Sequence, residues 1–214
     1  MNSTERDISY HITNSYSTLN KLTSSTKNVW FVCHGMGYLS KFFIRYFKGL
    51  NPEENYIIAP QAQSKYYITP KFKHVGASWL TRENTEIETD NIMAYFDSIF
   101  EKENLINDKN LIVFGYSQGV SVAMRYVAKR KIQCSQLVLH SGGIPEELKK
   151  EDFEFFNGET KLMYGINDEY LNGERMRREL QKAENLFGNN LKVIPFDGVH
   201  EVNVNLINQL TIKK

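Results

Sequence analysis

Short, nearly continuous apolar runs, separated by stretches with helical periodicity, are the feature that most limits the fold of this chain. The runs that we interpret as strands are Val29–His34, Tyr56–Pro60, Leu111–Tyr116, Gln136–Ser141, Lys161–Gly165 and Leu191–Phe196. Strands whose two faces are both buried have this composition, which is typical of a parallel sheet beneath helices. The earlier stretch Ile8–Leu19 alternates only weakly between apolar and polar residues and is a candidate for an antiparallel edge hairpin.

The segments between these runs supply the candidate helices. They are Ser40–Leu50, Arg82–Glu103, Val120–Lys131, Glu174–Phe187 and Val202–Leu210. In the longest of them Ile92, Phe96 and Ile99 share one face, as in an amphipathic helix. Alternating strands and helices predict an α/β protein with right-handed crossovers. The segment Gln61–Leu80 has neither pattern, and we predict that it wraps over one face as a loop.

Length, charge and hydropathy limit the number of domains and the kinds of partner that we expect for this chain. With 214 residues and no internal repeat or linker, the chain is expected to form a single domain over residues 1–214. Lys and Arg number 26 against 25 Asp and Glu, so there is no basic footprint that would predict a nucleic-acid partner. The chain lacks the features of a signal peptide and any apolar stretch of about 18–20 residues, so we expect no membrane span and a cytoplasmic location.

The cysteines argue against a disulfide framework or a metal centre. Only Cys33 and Cys134 are present, and no Cys/His spacing suggests structural zinc. Cys33 lies in an apolar run and is interpreted as a small buried thiol. No metal and no cofactor are predicted.

The pentapeptide Gly115–Gly119 reads G-Y-S-Q-G and lies between a predicted strand and a predicted helix. A sharp strand-to-helix turn lifts the hydroxyl of the central serine, Ser117, out of the sheet and aims it at a substrate. The glycines are needed because a Cβ at either position would clash with the neighbouring strand or helix. The alternative is a Gly/Ser turn with a structural serine, but the strand before and the helix after favour a nucleophile.

A serine hydroxyl needs a general base, which a carboxylate orients. We call the strand-to-helix turn at Gly115–Gly119 the elbow. In proteins with such an elbow, the acid and then the base follow later strands in the sequence. Of the five histidines, only His200 follows the last predicted strand, within the turn-forming stretch Asp197–His200. His140 ends a strand and is expected to pack beneath the site. His11 and His74 are interpreted as loop or surface residues, and a surface role is the alternative for His200 too.

The acid is expected directly after the strand that precedes the one leading to His200. Asp168 occupies that position, and its neighbour Glu169 is the main competitor. Asp152 precedes the strand, and Asp197 is too close to His200 in sequence, so both are poorer candidates.

Acyl transfer also needs hydrogen-bond donors for an oxyanion. One is expected to be the backbone N–H of Gln118, directly after the nucleophile, and the other comes from the loop after the first core strand. That loop, His34–Gly37, reads H-G-M-G, which makes the backbone N–H of Met36 the second donor. A phosphate-binding loop is not indicated, because neither G-x-G-x-x-G nor a P-loop lysine is present.

Together these motifs resemble those of the α/β-hydrolase superfamily, and within it the small carboxylesterase/phospholipase group that includes the acyl-protein thioesterases. The matching segments are His34–Gly37, Gly115–Gly119, Leu139–Gly142, Gly165–Asp168, Gly198–His200 and Ser78–Leu80. The resemblance implies an α/β-hydrolase fold, with a mostly parallel sheet flanked by helices on both faces. At this length little chain remains for a lid.

The chain also departs from the group. Glu169 stands where a proline usually follows the acid, and Val120 replaces a small residue after the elbow, so substrate preference cannot be carried over. The candidate pocket residues are Gly35, Tyr38 and Trp79, with Tyr66 and Tyr67 as further candidate walls; core or loop packing is the alternative for the aromatic residues of the 61–81 segment.

The resemblance and the motifs together predict a monomeric or homodimeric serine hydrolase. Its substrates would be small esters, thioesters included, cleaved through Ser117, His200 and Asp168. Two alternatives stay open: a triad enzyme acting on amides or as a lyase, and a non-catalytic binding protein that retains the fold.

Overall fold

In the computed structural model, which describes residues 3–105 and 109–211, seven strands form one central sheet. The strands of this sheet and of a separate two-stranded hairpin are, in chain order, β1 (Tyr16–Leu19), β2 (Asn28–Cys33), β3 (Asn55–Pro60), β4 (Ser64–Tyr67), β5 (Val75–Ser78), β6 (Asn110–Tyr116), β7 (Gln136–His140), β8 (Glu159–Gly165) and β9 (Leu191–Phe196). The central sheet has the order β1-β3-β2-β6-β7-β8-β9, and β4 and β5 pair separately. Its neighbouring strands run parallel, except that β1 is antiparallel to β3.

The helices are α1 (Ser40–Phe43), α2 (Thr85–Lys102), α3 (Gln118–Arg130), α4 (Gly173–Phe187) and α5 (Val204–Gln209). The predicted first helix is shorter than expected, because after Phe43 the chain tightens into a 3-10 turn over Ile44–Phe47. The predicted start of α2 was three residues early. Asn84 adopts a left-handed conformation there, with a φ of 49°, and its side chain does not cap the helix.

The sheet is covered on both faces, which confirms the predicted fold class. Val29, Phe31 and Cys33 of β2 pack in a core with side chains of α2, α3 and α4. The alternate residues Trp30 and Val32 pack on the other face against α1, the 3-10 turn and α5. Because every side chain of β2 is buried, this strand reads in the sequence as one apolar run.

The structure corrects three predictions, two at the edges of the central sheet and one in the segment between β3 and α2. In the stretch 8–19 only β1 is a strand, whereas Ile8, Tyr10 and Ile12 are exposed and belong to none. At the other edge β9 is largely exposed and tolerates Pro195, so it is not buried on both faces. The segment 61–80 is not a loop throughout, because β4 and β5 form an antiparallel hairpin within it.

Both cysteines are free and buried, as the sequence predicts for Cys33. Burial raises the pKa of the Cys134 thiol to about 12, and it raises that of Cys33 as well. Neither thiol is therefore a reactive nucleophile at neutral pH.

Candidate active site

Ser117 is the one residue between β6 and α3. Its φ of 52° and ψ of −119° are unusual for a residue other than glycine. Its N–H donates to the carbonyl of His140 at the end of β7 (2.9 Å), which fixes the turn. The strained conformation directs the Ser117 hydroxyl away from the sheet and towards a cavity.

The two glycines of the elbow are required by contacts on both sides. A Cβ on Gly115 would lie 2.5 Å from Cα of Val120 in α3, and one on Gly119 would overlap the carbonyl of Cys33 in β2. Val120 is fully buried, and Gly142 leaves room for it, because a Cβ there would overlap the Val120 side chain. Val120, the larger residue that follows the elbow, is thus accommodated because position 142 is a glycine.

His200 contacts both of its predicted partners. Its Nε2 lies 2.9 Å from Oγ of Ser117, and its Nδ1 lies 2.7 Å from Oδ2 of Asp168. The hydroxyl of Tyr116 donates to the carbonyl of His200 at 3.0 Å, which holds the loop that follows β9. A neutral ring that donates Nδ1–H to the carboxylate leaves Nε2 to accept the serine proton.

Asp168 lies in the loop after β8, with a side chain that is not exposed at all. Its Oδ1 accepts the backbone N–H groups of Tyr170 (2.9 Å) and Leu171 (3.0 Å), while Oδ2 faces His200. The competing Glu169 is exposed. Asp197 accepts from Asn167 instead, and Asp152 caps a 3-10 turn, so the structure brings Asp168 alone of the four candidates to His200.

Two other histidines are buried around the site. His140 packs edge-on beneath Tyr116, and its Nε2 accepts the N–H of Asn203 (3.0 Å). The Nε2 of His34 accepts the N–H of Ala62 (3.1 Å). Desolvation lowers the pKa of His140 to about 3 and that of His34 to about 4, so both rings are neutral and structural. The prediction that His140 packs beneath the site agrees with this position.

These two rings should make stability depend on pH. Their pKa values are lower in the folded chain than the ordinary value of about 6.5, so the unfolded chain binds more protons at acid pH. The two neutral rings contribute fully to the free energy of unfolding above about pH 6.5. This contribution is lost as the pH falls towards 4 for His34 and towards 3 for His140. We expect the free energy of unfolding to fall by about 1.4 kcal/mol per pH unit for each ring.

Urea unfolding at pH 7, 6 and 5 measures how the free energy of unfolding changes with pH. In His140→Gln this change should be smaller by the contribution of one histidine ring. Proton NMR titration of the native protein checks the cause directly. If the His140 ring were to take up its proton near pH 6, the explanation would be wrong.

Met36 and Gln118, whose backbone N–H groups are the predicted oxyanion donors, line the same cavity as Ser117. This cavity, which we call the serine cavity, has a volume of about 430 Å³. Its lining residues are Met36, Ser117, Gln118, Ser121, Ser141, Gly142, Gly143, Tyr170, Leu171, Arg175 and His200. Within residues 3–105 and 109–211, no hydrogen bond uses either of the two N–H groups, which leaves both able to bind a substrate oxygen.

The β4–β5 hairpin supports the loop that carries Met36. The N–H of Gly37 donates to the carbonyl of Ala77 (2.9 Å), and Gly76 lies so close that a Cβ there would be 2.6 Å from the Gly37 carbonyl. The Gln118 side chain secures the hairpin from the other side, because its Oε1 accepts the N–H of Trp79 (2.8 Å) and its Nε2 donates to the carbonyl of Leu80 (2.7 Å).

The three predicted pocket residues do not line the serine cavity. Trp79 is 1% exposed, packs in the core against Phe96, and donates its indole N–H to the carbonyl of His34 (2.7 Å). Gly35 is buried against Tyr116 and Ser117, and Tyr38 packs edge-on against Tyr116. These residues shape the site from beneath, which corrects their assignment as pocket walls.

Sequence reasoning missed the wall of the cavity that includes Tyr170, Leu171 and Arg175. Tyr170 packs edge-on against the His200 ring with a centroid distance of 4.8 Å. Tyr170 and Leu171 closely follow the acid, so the position of Asp168 is a signal that could have found them, whereas Arg175 lies on α4 and has no such signal.

The described part of the chain contains no cluster of three or more His, Cys, Asp or Glu side chains that could hold a metal ion. None of its helices is long and apolar enough to cross a membrane.

A mostly parallel sheet with a strand–serine–helix turn at its centre, and a histidine and an aspartate on later loops, defines an α/β-hydrolase. The chain belongs to the phospholipase/carboxylesterase family, whose model matches residues 15–210. It is accordingly a hydrolase of the carboxylesterase type. The resemblance inferred from the motifs is confirmed.

Solved structures share this fold at low sequence identity. Esterase PE8 is 19% identical with a TM-score of 0.70, over 92% of this chain and 97% of its own. Zea mays acyl-protein thioesterase 2 is 15% identical with a TM-score of 0.69, over 92% of this chain and 96% of its own. A phospholipase/carboxylesterase from Dyadobacter fermentans DSM 18053 is 18% identical with a TM-score of 0.68, over 94% and 97%. No curated protein matches the sequence closely enough to count as a relative.

Proposed function

We propose that this hydrolase cleaves carboxylic esters, thioesters included, through an acyl-enzyme intermediate on Ser117. The observation that carries the proposal is the unbroken hydrogen-bonded series from Asp168 through His200 to Ser117, with distances of 2.7 and 2.9 Å. An activated serine needs a base within this reach and a third group that orients the base.

In the acylation step, Ser117 Oγ attacks the carbonyl carbon while His200 Nε2 takes the serine proton. Asp168 stabilises the imidazolium that forms, and the N–H groups of Met36 and Gln118 bind the oxyanion. His200 then donates its proton to the leaving alcohol or thiol as the bond to the acyl carbon breaks. Water then attacks the acyl carbon while His200 accepts one of its protons. His200 returns that proton to Oγ of Ser117 as the bond between Oγ and the acyl carbon breaks and the carboxylic acid leaves.

Labelling with a fluorophosphonate probe tests whether Ser117 is activated. We expect labelling of the native protein together with hydrolysis of 4-nitrophenyl esters in a series from acetate to palmitate, which also gives the preferred acyl length. A protein that takes up no label and cleaves no ester of the series would instead be a binding module with the same fold.

The close contact between the β4–β5 hairpin and Gly37 allows a test of the proposed oxyanion donor at Met36. In Gly76→Ala the new Cβ would meet the backbone of Gly37 and displace the neighbouring Met36. Since loss of one such donor costs about 10²–10³ in rate, we expect kcat/KM for 4-nitrophenyl butyrate to fall by about 10².

The matched control is Gly173→Ala, because a Cβ at Gly173 meets nothing within 4 Å. It should retain the native rate. Native kcat/KM in a folded Gly76→Ala protein would show that the hairpin does not position this loop.

A further inference from the structure

The serine cavity continues into a second hollow. This second hollow has a volume of about 400 Å³ and shares Ser121, Gly143 and Arg175 with the serine cavity. It lies between α3, α4 and the loop after β7. A substrate bound at Ser117 therefore has room to extend past Arg175.

The second hollow is rich in cations. Those that line it are Arg125, Arg175, Arg178 and Lys182, and the carboxylates that line it are Glu146 and Glu179. Arg125 is paired with Glu147 (2.6 Å) and Lys182 with Glu146. Glu179 is buried; its Oε2 accepts the N–H of Ile144, and its Oε1 lies 3.6 Å from Nζ of Lys182. Arg178 has no ion pair within residues 3–105 and 109–211.

Arg175 lines both hollows, and part of its guanidinium group makes no hydrogen bond within the described residues. Its Nη1 donates to the carbonyl of Tyr170 (3.0 Å), and its Nε is 4.0 Å from Oε1 of Glu179, too far for a hydrogen bond. Its Nη2 donates to no group in the described part of the chain. A Cβ on Gly143 would lie 3.2 Å from Nη2, so the glycine leaves this side of the guanidinium accessible from the cleft.

We propose that the cleft binds esters that carry a carboxylate or a phosphate a few bonds from the scissile carbonyl, with Arg175 binding that anion and Arg178 as a second cation. Guanidinium N–H groups match carboxylate and phosphate oxygens, and Arg175 is held in place by Tyr170, whose ring packs against His200. The inference deepens the proposed esterase function and depends on it for the reaction.

A pair of esters that differ in one charge tests the proposal. Mono-4-nitrophenyl glutarate carries a free carboxylate, and 4-nitrophenyl methyl glutarate is its neutral analogue. We expect the native enzyme to prefer the anionic ester and Arg175→Gln to lose about tenfold in kcat/KM on it, with little change on the neutral ester. Arg177→Gln is the matched control, since this exposed arginine on the same helix donates to the carbonyl of Gly173 and lines neither hollow.

A second pair places the charge on the leaving group: 4-acetoxybenzoate and its methyl ester. A charge preference that Arg175→Gln abolishes, in either pair, supports the proposal and shows on which side of the carbonyl the anion binds. Equal losses on charged and neutral esters would mean that Arg175 only supports the Tyr170 loop, and the absence of any charge preference would overturn the proposal while leaving the esterase function intact.

Binding without turnover separates the two proposals. In a Ser117→Ala background, calorimetric titration should show that monoethyl glutarate binds about tenfold more tightly than diethyl glutarate, and that Arg175→Gln removes the difference. Equal binding of the two ligands would overturn the anion site even if no ester were hydrolysed.

Discussion

Replacing Ser117 with alanine is expected to lower kcat/KM for 4-nitrophenyl butyrate by about 10⁴-fold or more. The alanine removes the oxygen that lies 2.9 Å from Nε2 of His200 and is the proposed nucleophile. Only binding and the oxyanion site would remain, and these sustain a small residual rate in enzymes of this kind. Initial rates measured by absorbance, together with the extent of fluorophosphonate labelling, report the loss.

The fold should survive this change, because alanine keeps the backbone contact between Ser117 and His140. Ser98→Ala is the matched control: Ser98 lies on α2 and donates only to the carbonyl of Ala94. A thermal unfolding midpoint close to that of the native protein confirms that the loss is chemical. Undiminished hydrolysis by Ser117→Ala would place the nucleophile elsewhere.

Replacing Asp168 with asparagine is expected to lower kcat by about 10⁴-fold at neutral pH. Oδ1 of Asp168 accepts two backbone N–H groups, from Tyr170 and Leu171. The asparagine oxygen would keep these contacts, which turns its NH₂ group towards Nδ1 of His200. That nitrogen must then accept, so the proton moves to Nε2 and the ring can no longer take the proton of Ser117.

Glu169→Gln is the control, because Glu169 is adjacent in sequence but exposed, and it should retain the native kcat. A stopped assay over pH 6 to 9 compares the variants. A native rate for Asp168→Asn, or an equal loss for Glu169→Gln, would contradict the assignment of the acid.

The core of the fold could be predicted from the sequence, because strands buried on both faces must be apolar throughout. This argument works for β2 and fails at the edges. β9 is mostly apolar yet largely exposed, and the exposed residues Ile8, Tyr10 and Ile12 alternate without pairing. Whether a short apolar stretch pairs depends on what lies beside it, and periodicity carries no such information.

The three residues Ser117, Asp168 and His200 could be placed because each follows a strand, and parallel strands bring their carboxyl ends to one edge. The walls of the cavity could not be placed in this way. Trp79 is an aromatic residue in a segment without a pattern, and only the contacts of its indole N–H with His34 show that it supports the loop from below. Arg175 has the sequence pattern of any polar helical residue, and only the fold brings it to the serine.

The hairpin of β4 and β5 has a consequence for how such an enzyme can evolve. Within the described residues its two strands pair only with each other, and every residue of β4 is exposed. The hairpin contacts the loop that carries Met36 through the backbone at Gly37 and Ala77. Substitutions on its outer surface change no packing of the central sheet. The exposed positions of the hairpin can therefore diverge between lineages at little cost in folding free energy while the arrangement around Ser117 stays intact.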